Sequence, residues 1–277
     1  MMEIKKLVQQ KLFDLGSDTV LVHSDLMQGF RIPFKNRVSF LMAHAKELFS
    51  LKDGLILWMP AFNYDFCKGF AFNVEKTPSQ VGSFTEYFRK NVALWRTPVP
   101  VFSFSGIGDQ PKLNVIDTID PFGSGSAFQI LYNKNAILMH YGSPINTTTF
   151  LHFAERKSKC LCYRYDKLFL GQVILNDEKK INVRFNFHVR PLGRYLDYDW
   201  SRISKQLTEN NILFSYNEES TRILICKIKE LIDYWADRMN EDPFYLLDQE
   251  SRLWVEPLVN SLGRPFLITD FESFQDL

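Results

Sequence analysis

Residues 19–25, Thr19-Val20-Leu21-Val22-His23-Ser24-Asp25, decide the fold. The first four favour extended chain with no charge among them, as in a buried parallel strand. Ser24-Asp25 follows at once and suits the cap of a helix or a short turn. Upstream, Ile4, Leu7, Val8, Leu12 and Leu15 recur at helical spacing, and Gly16-Ser17-Asp18 ends that helix. Downstream, Val38, Leu41, Met42, Ala45, Leu48 and Phe49 share one face of a second helix over residues 36–51. Leu55-Ile56-Leu57-Trp58-Met59 is the next buried strand, ended by Pro60. Alternation of helix and strand predicts an α/β fold: a mostly parallel central sheet flanked by helices, with the site at the carboxyl ends of its strands. A strand that leads into backbone N–H groups suits phosphate, although an ordinary capped junction reads the same way.

Beyond this opening, residues 65–78 form a Phe-rich loop, and residues 83–91 a helix with Phe84, Tyr87 and Phe88 at helical spacing. Residues 96–108, RTPVPVFSFSGIG, read as a strand: Val99, Val101, Phe102, Phe104 and Ile107 favour it, while Ser103, Ser105 and Gly106 leave room beside the backbone. Residues 135–140 are another strand, broken by Gly142 and Pro144, before a helix that carries His152 and Glu155. Residues 167–187 alternate apolar and polar around Asn176-Asp177, which predicts a smaller antiparallel β subdomain. The chain is therefore expected to divide into a core over 1–165 and a subdomain with carboxyl-terminal helices over 166–277. Residues 199–207 and 223–238 are expected helices.

The 277 residues are 45% hydrophobic, enough for a large core, and 25 are Phe. Net charge is +1, from 33 basic and 32 acidic residues without a basic cluster, so nucleic acid is not an expected partner. The first residues are amphipathic with no apolar h-region, and no run of about 20 apolar residues exists, so the expectation is a cytoplasmic protein without a membrane span. Cys160-Leu161-Cys162 is not a zinc spacing, and Cys67, Cys160, Cys162 and Cys226 are expected to be reduced. His152 and Glu155 are three apart and share a helix face, as a surface or structural pair does. With no second half to complete a carboxylate-bridged centre, no metal is expected.

Five segments stand in a telling order: Val20–Leu26 (VLVHSDL), Met59–Tyr64 (MPAFNY), the Pro78-Ser79-Gln80-Val81-Gly82 turn with residues 96–108, Pro121–Phe128 (PFGSGSAF), and Thr149–Glu155 (TFLHFAE). Together they resemble the aminoglycoside 3-N-acetyltransferase family over roughly residues 1–250. The resemblance implies acetyl-CoA as co-substrate and direct transfer of its acetyl group to an amine. It implies coenzyme A pyrophosphate near His23, Ser24, Asp25 and Leu26, and pantetheine along Phe102, Ser103 and Phe104, with Ser79, Val81 and Gly82 completing the cofactor site. Asp25 stands where the family has a second Ser, and its carboxylate is expected only to cap. Asn63, Tyr64 and Asn146 are the expected acceptor contacts. A homodimer is also implied.

The family's base lies in an Arg-Ser-x-His-Pro-x-His-Ser pattern. Arg96, Pro100 and Ser103 fit it, but Val99 and Phe102 occupy the histidine positions, and Phe cannot accept a proton. Three explanations compete. Another histidine serves, with His140 foremost because it ends a neighbouring strand and Gly142 allows substrate to approach. His152 with Glu155 is next, ahead of His23, His44 and His188. Or the amine arrives neutral and proximity suffices. Or the chain only binds. Aminoglycosides are polycations, and this chain has no acidic excess, so the expected acceptor is a single amino sugar, free or nucleotide-linked, of a surface polysaccharide. The alternatives are an aminoglycoside 3-N-acetyltransferase conferring antibiotic resistance and a catalytically silent acyl-CoA-binding homologue. Arg31, Lys35 and Arg37 suit phosphates or a solvated face. Asp197-Tyr198-Asp199-Trp200 suits a cationic amine or a helix cap, the cap being preferred.

Overall fold

In the computed structural model, which describes residues 2–30, 36–113, 118–218 and 221–273, the chain runs as follows. Helix α1 (Met2–Leu15) leads into strand β1 (Thr19–Ser24), the short helix α2 (Leu26–Gly29) and α3 (Arg37–Phe49). Then come β2 (Ile56–Pro60), β3 (Phe72–Asn73), α4 (Ser83–Asn91), β4 (Trp95–Arg96) and β5 (Phe104–Gly106). They are followed by β6 (Thr118–Ile119), α5 (Ala127–Asn133), β7 (Ile137–Tyr141) and α6 (Phe150–Ser158). The second half holds β8 (Tyr165–Ile174), β9 (Lys180–Val189), α7 (Trp200–Glu209), β10 (Phe214–Glu218) and β11 (Thr221–Lys227). It closes with α8 (Ile228–Glu241) and α9 (Gln249–Leu262). Arg31 and Lys35 lie outside the described residues.

The large sheet has seven strands in the order β10-β11-β7-β1-β2-β5-β4. β1 pairs parallel with β2 on one side and β7 on the other, which aligns His23 with His140 and Ser24 with Tyr141. Outside this parallel centre, β5 and β4 add antiparallel on one edge and β11 and β10 on the other. Alternation along β1 explains why it is buried on both faces. Val20 and Val22 pack with Val8, Leu48 and Phe84 from α1, α3 and α4, whereas Leu21 faces the cluster of Phe128, Phe150 and Trp235 from α5, α6 and α8. A second sheet, β3-β8-β9-β6, is built on the antiparallel β8–β9 hairpin expected from the alternation.

Three details depart from the sequence reading. Residues 221–227 are a strand, so the helix expected from 223 begins at Ile228. Ile223 and Ile225 face one core cluster and Leu224 and Cys226 the other, a period of two that helical counting also tolerates. Residues 96–108 are a hairpin rather than one strand, because Val101 turns the chain with φ +64 between β4 and β5. The boundary at 165/166 does not follow the sheets either, since β10 and β11 return to the large sheet and β3 and β6 edge the small one. Among the described residues no helix is long and apolar enough to cross a membrane, and all four cysteines are free.

Candidate active site

The three parallel strands end at one level, and the chain leaves each in a turn. Beyond them lies a cavity of about 450 Å³. His23 and Ser24 from β1 and Pro60 from β2 form its sheet edge, with Tyr64, Val81 and Thr85 beside them. Ser143 and Asn146–Thr149, which follow β7, form a second side with Leu151 and His152 of α6. Arg164, Arg190, Asp197, Tyr198 and Trp200 complete the wall from the second half of the chain. The fold thus brings His23, Ser24, Tyr64, Val81, Asn146 and His152 together among the residues anticipated from sequence.

His152 sits in the first turn of α6, and its Nδ1 lies 2.9 Å from Oε2 of Glu155, one turn on. Glu155 is wholly buried. Its Oε1 accepts from the hydroxyls of Tyr163 at 3.0 Å and Tyr198 at 2.7 Å. Its Oε2 meets Arg164 Nε at 3.1 Å and His188 Nε2 at 3.3 Å. Burial alone would raise the pKa of Glu155, but Arg164, His152 and His188 outweigh it and hold the carboxyl well below the usual range. Burial and the charge of Arg164 depress His152 below its ordinary 6.5, against the pull of Glu155. A neutral His152 donates its Nδ1–H to the carboxylate, which leaves Nε2 as the basic nitrogen of a ring that lines the cavity. The ligand atoms of His152, Glu155 and His188 lie within 4.8 Å of one another, yet the Arg164 guanidinium already occupies the carboxylate where a metal cation would bind.

His140, the leading candidate from sequence, does not reach the cavity. It is wholly buried, with Nδ1 3.1 Å from Ser143 Oγ and Nε2 2.9 Å from Thr148 Oγ1. The segment after β7 folds back over its ring and commits both nitrogens. Gly142 closes against backbone rather than substrate: an added Cβ there would lie 2.4 Å from the carbonyl oxygen of Asp25. His44 is buried against the hydroxyl of Tyr141 at 2.9 Å.

Phe102, Ser103 and Phe104, the strand expected beside pantetheine, are buried and bonded within the chain. Phe102 lies in an aromatic cluster, 4.9 Å from Phe122, 5.1 Å from Phe187 and 5.2 Å from Phe62 between ring centroids. Ser103 Oγ donates to the carbonyl of Ala61 at 2.7 Å and accepts from Arg96 Nε at 3.0 Å. The amide of Phe102 bonds to Pro100 O, and that of Phe104 to Thr97 Oγ1. The hairpin turns these groups inward. Asp25 caps α2 through Gln28 N at 3.1 Å, Leu26 belongs to the core, and the Asp25 amide bonds to Tyr141 O. Asn63 is buried and braces the carbonyl of Pro78 and the amide of Asp65. Ser79 Oγ bonds Thr85 Oγ1 at 3.1 Å, and Gly82 is the N-cap of α4; both support Val81 from behind the cavity wall. Asp199 caps α7 as expected, while its neighbours Asp197, Tyr198 and Trp200 face the cavity. Arg164 and Arg190 were not legible, because each follows a strand-like or cysteine-bearing run with no local signal of convergence.

The family model described as aminoglycoside 3-N-acetyltransferase matches residues 57–240 of the 277. The chain belongs to that family. Its members are N-acetyltransferases, and acetyl-CoA is their acyl donor. Among solved structures, the apoenzyme of aminoglycoside acetyltransferase AAC(3)-IVa superposes with a TM-score of 0.65 at 16% identity, over 89% of this chain and 94% of that one. The binary complex of AAC-IIIb with CoASH gives 0.67 at 14% identity, over 86% and 96%. The YokD protein of Bacillus subtilis gives 0.63 at 17% identity, over 86% and 94%. At these identities the likeness carries the fold. No curated protein matches the sequence.

Proposed function

We propose that this chain transfers the acetyl group of acetyl-CoA to the amine of an amino sugar, free or nucleotide-linked, with His152 as general base and Glu155 as the residue that positions it. The Glu155–His152 pair on the cavity wall, at the carboxyl edge of the parallel strands, carries this reading. The amine nitrogen bonds to the thioester carbonyl carbon, gives its proton to His152 Nε2, and the C–S bond breaks. The proton then passes from His152 to the departing sulfur. Two buried polar atoms at the β1 edge, His23 Nε2 and Ser24 Oγ, have no partner among the described residues and suit hydrogen bonds to the coenzyme. Tyr64, Tyr198 and Trp200 offer aromatic surface to a sugar ring. Asp197 is the carboxylate among the lining residues, which suits a single amine better than a polycation. Family membership favours an aminoglycoside as the second reading.

A thiol-release assay with acetyl-CoA against amino sugars, nucleotide-linked amino sugars and aminoglycosides tests it. His152→Ala should lower kcat/KM by about 10²–10⁴, with coenzyme A affinity retained. Because the ring's pKa lies below 6.5, its contribution should be complete at neutral pH and lost only as pH falls through the acid range. His152→Ala lacks that acid inflection. Wild-type kcat/KM in His152→Ala across the pH range would remove His152 as the base.

A further inference from the structure

The cavity wall carries two opposite charges that do not pair with each other. Arg190, just past β9, and Asp197 are both exposed and both line it. An Arg190 Nη1 lies 3.5 Å from the carbonyl oxygen of Leu196, the residue before Asp197. Even so, among the described residues no carboxylate forms an ion pair with Arg190, and no cation pairs with Asp197. Arg164, on the same wall, differs: Glu155 neutralises it from behind. Arg190 and His152 line the same cavity, so an acceptor amine that reaches His152 enters a space that also holds this guanidinium. A cation there repels an acceptor that carries several ammonium groups. A guanidinium without a carboxylate partner, facing a cavity, is built to hold carboxylate or phosphate.

We infer that the acceptor is a zwitterion: an amine whose skeleton also carries a phosphate or carboxylate, with Arg190 holding the anion and Asp197 drawing in the ammonium. This rests on the N-acetyltransferase reading above. The coenzyme's own phosphates are the other anions available. They are expected at the β1 edge, with His23 and Ser24, whereas Arg190 belongs to the wall from the second half of the chain, with Tyr198 and Trp200.

The test compares glucosamine, glucosamine 6-phosphate, galactosaminuronic acid and kanamycin as acceptors for the wild type, Arg190→Gln and Arg190→Lys. The wild type should prefer an anionic amino sugar over glucosamine by about tenfold in kcat/KM, as one charge-assisted pair provides. Arg190→Gln should bring that ratio close to one, and Arg190→Lys should keep part of it. The phosphate and carboxylate acceptors show which anion fits. A ratio unchanged in Arg190→Gln, an effect confined to the KM of acetyl-CoA, or a wild-type preference for kanamycin each overturns the inference. If no amine is acetylated, the transferase reading fails, and calorimetry decides the remainder. Glucosamine 6-phosphate binding the wild type more tightly than Arg190→Gln supports the anion site, and equal binding removes it.

Discussion

His23 and His188 are buried, and burial lowers each from 6.5 to about 4. His44, His140 and His152 move in the same direction for the same first reason. In the unfolded chain these rings take up protons near pH 6.5, and in the fold they do not. Between about pH 6.5 and 4 the unfolded state binds more protons, so stability is complete above that interval and is lost as pH falls through it. His23 and His188 should each cost roughly 3 kcal/mol across it. Urea midpoints measured from neutral pH down to about pH 4.5 should fall steeply, and His23→Asn should flatten part of the slope. A flat midpoint over that range would contradict the burial argument. The carboxylates of Glu155 and Glu86 are held below 4.5 in the fold, so they add to the loss only from the lower end of this window downward. At this scale the His152–Glu155 pair could be read from its spacing of three on a helix. His140 misled because a strand end predicts the level of a side chain in the sheet. It does not predict that residues 143–148 fold back and bond both of its nitrogens.

Where α2 crosses the end of β7, two glycines meet. A Cβ on Gly29 would fall 1.9 Å from the Cα of Gly142, and one on Gly142 would fall 2.4 Å from the oxygen of Asp25. Gly142 also has φ +81, a region that costs an L-residue energy. Gly142→Ala should therefore destabilise by on the order of 3 kcal/mol. It should also raise the KM for acetyl-CoA, because Ser24 and Ser143 flank the crossing. Thermal denaturation and steady-state kinetics check both, and a silent substitution would show that the crossing is looser than these distances. Elements with one dominant period, such as β1, α4 and the β8–β9 hairpin, were legible in the sequence. Residues 221–227 were not, because Ile223, Leu224 and Ile225 satisfy both periods until a partner strand is known. The hairpin at 96–106 was hidden for another reason: its turn is made by a valine, not by glycine or asparagine.

The molecule as a whole could be read as α/β with a second sheet, but not how the chain shares residues between the two. β11 joins the large sheet beside β7, more than eighty residues earlier in the chain, and only long-range pairing fixes that. A cavity at the carboxyl edge followed from the parallel centre, whereas its far wall of Arg164, Arg190 and Trp200 depends on docking that no local pattern encodes. The bundle around Glu155 inherits this property. Its members are His152 on α6, Tyr163 and Arg164 before β8, His188 on β9 and Tyr198 before α7. No two neighbouring elements hold it, so it cannot exist in a partly assembled chain. Non-local contacts form late because loop closure must come first. After dilution from denaturant, far-UV dichroism should return before acetyl transfer does, and the lag between the two signals is the time the Glu155 carboxylate on α6 takes to gather Tyr163, Arg164, His188 and Tyr198.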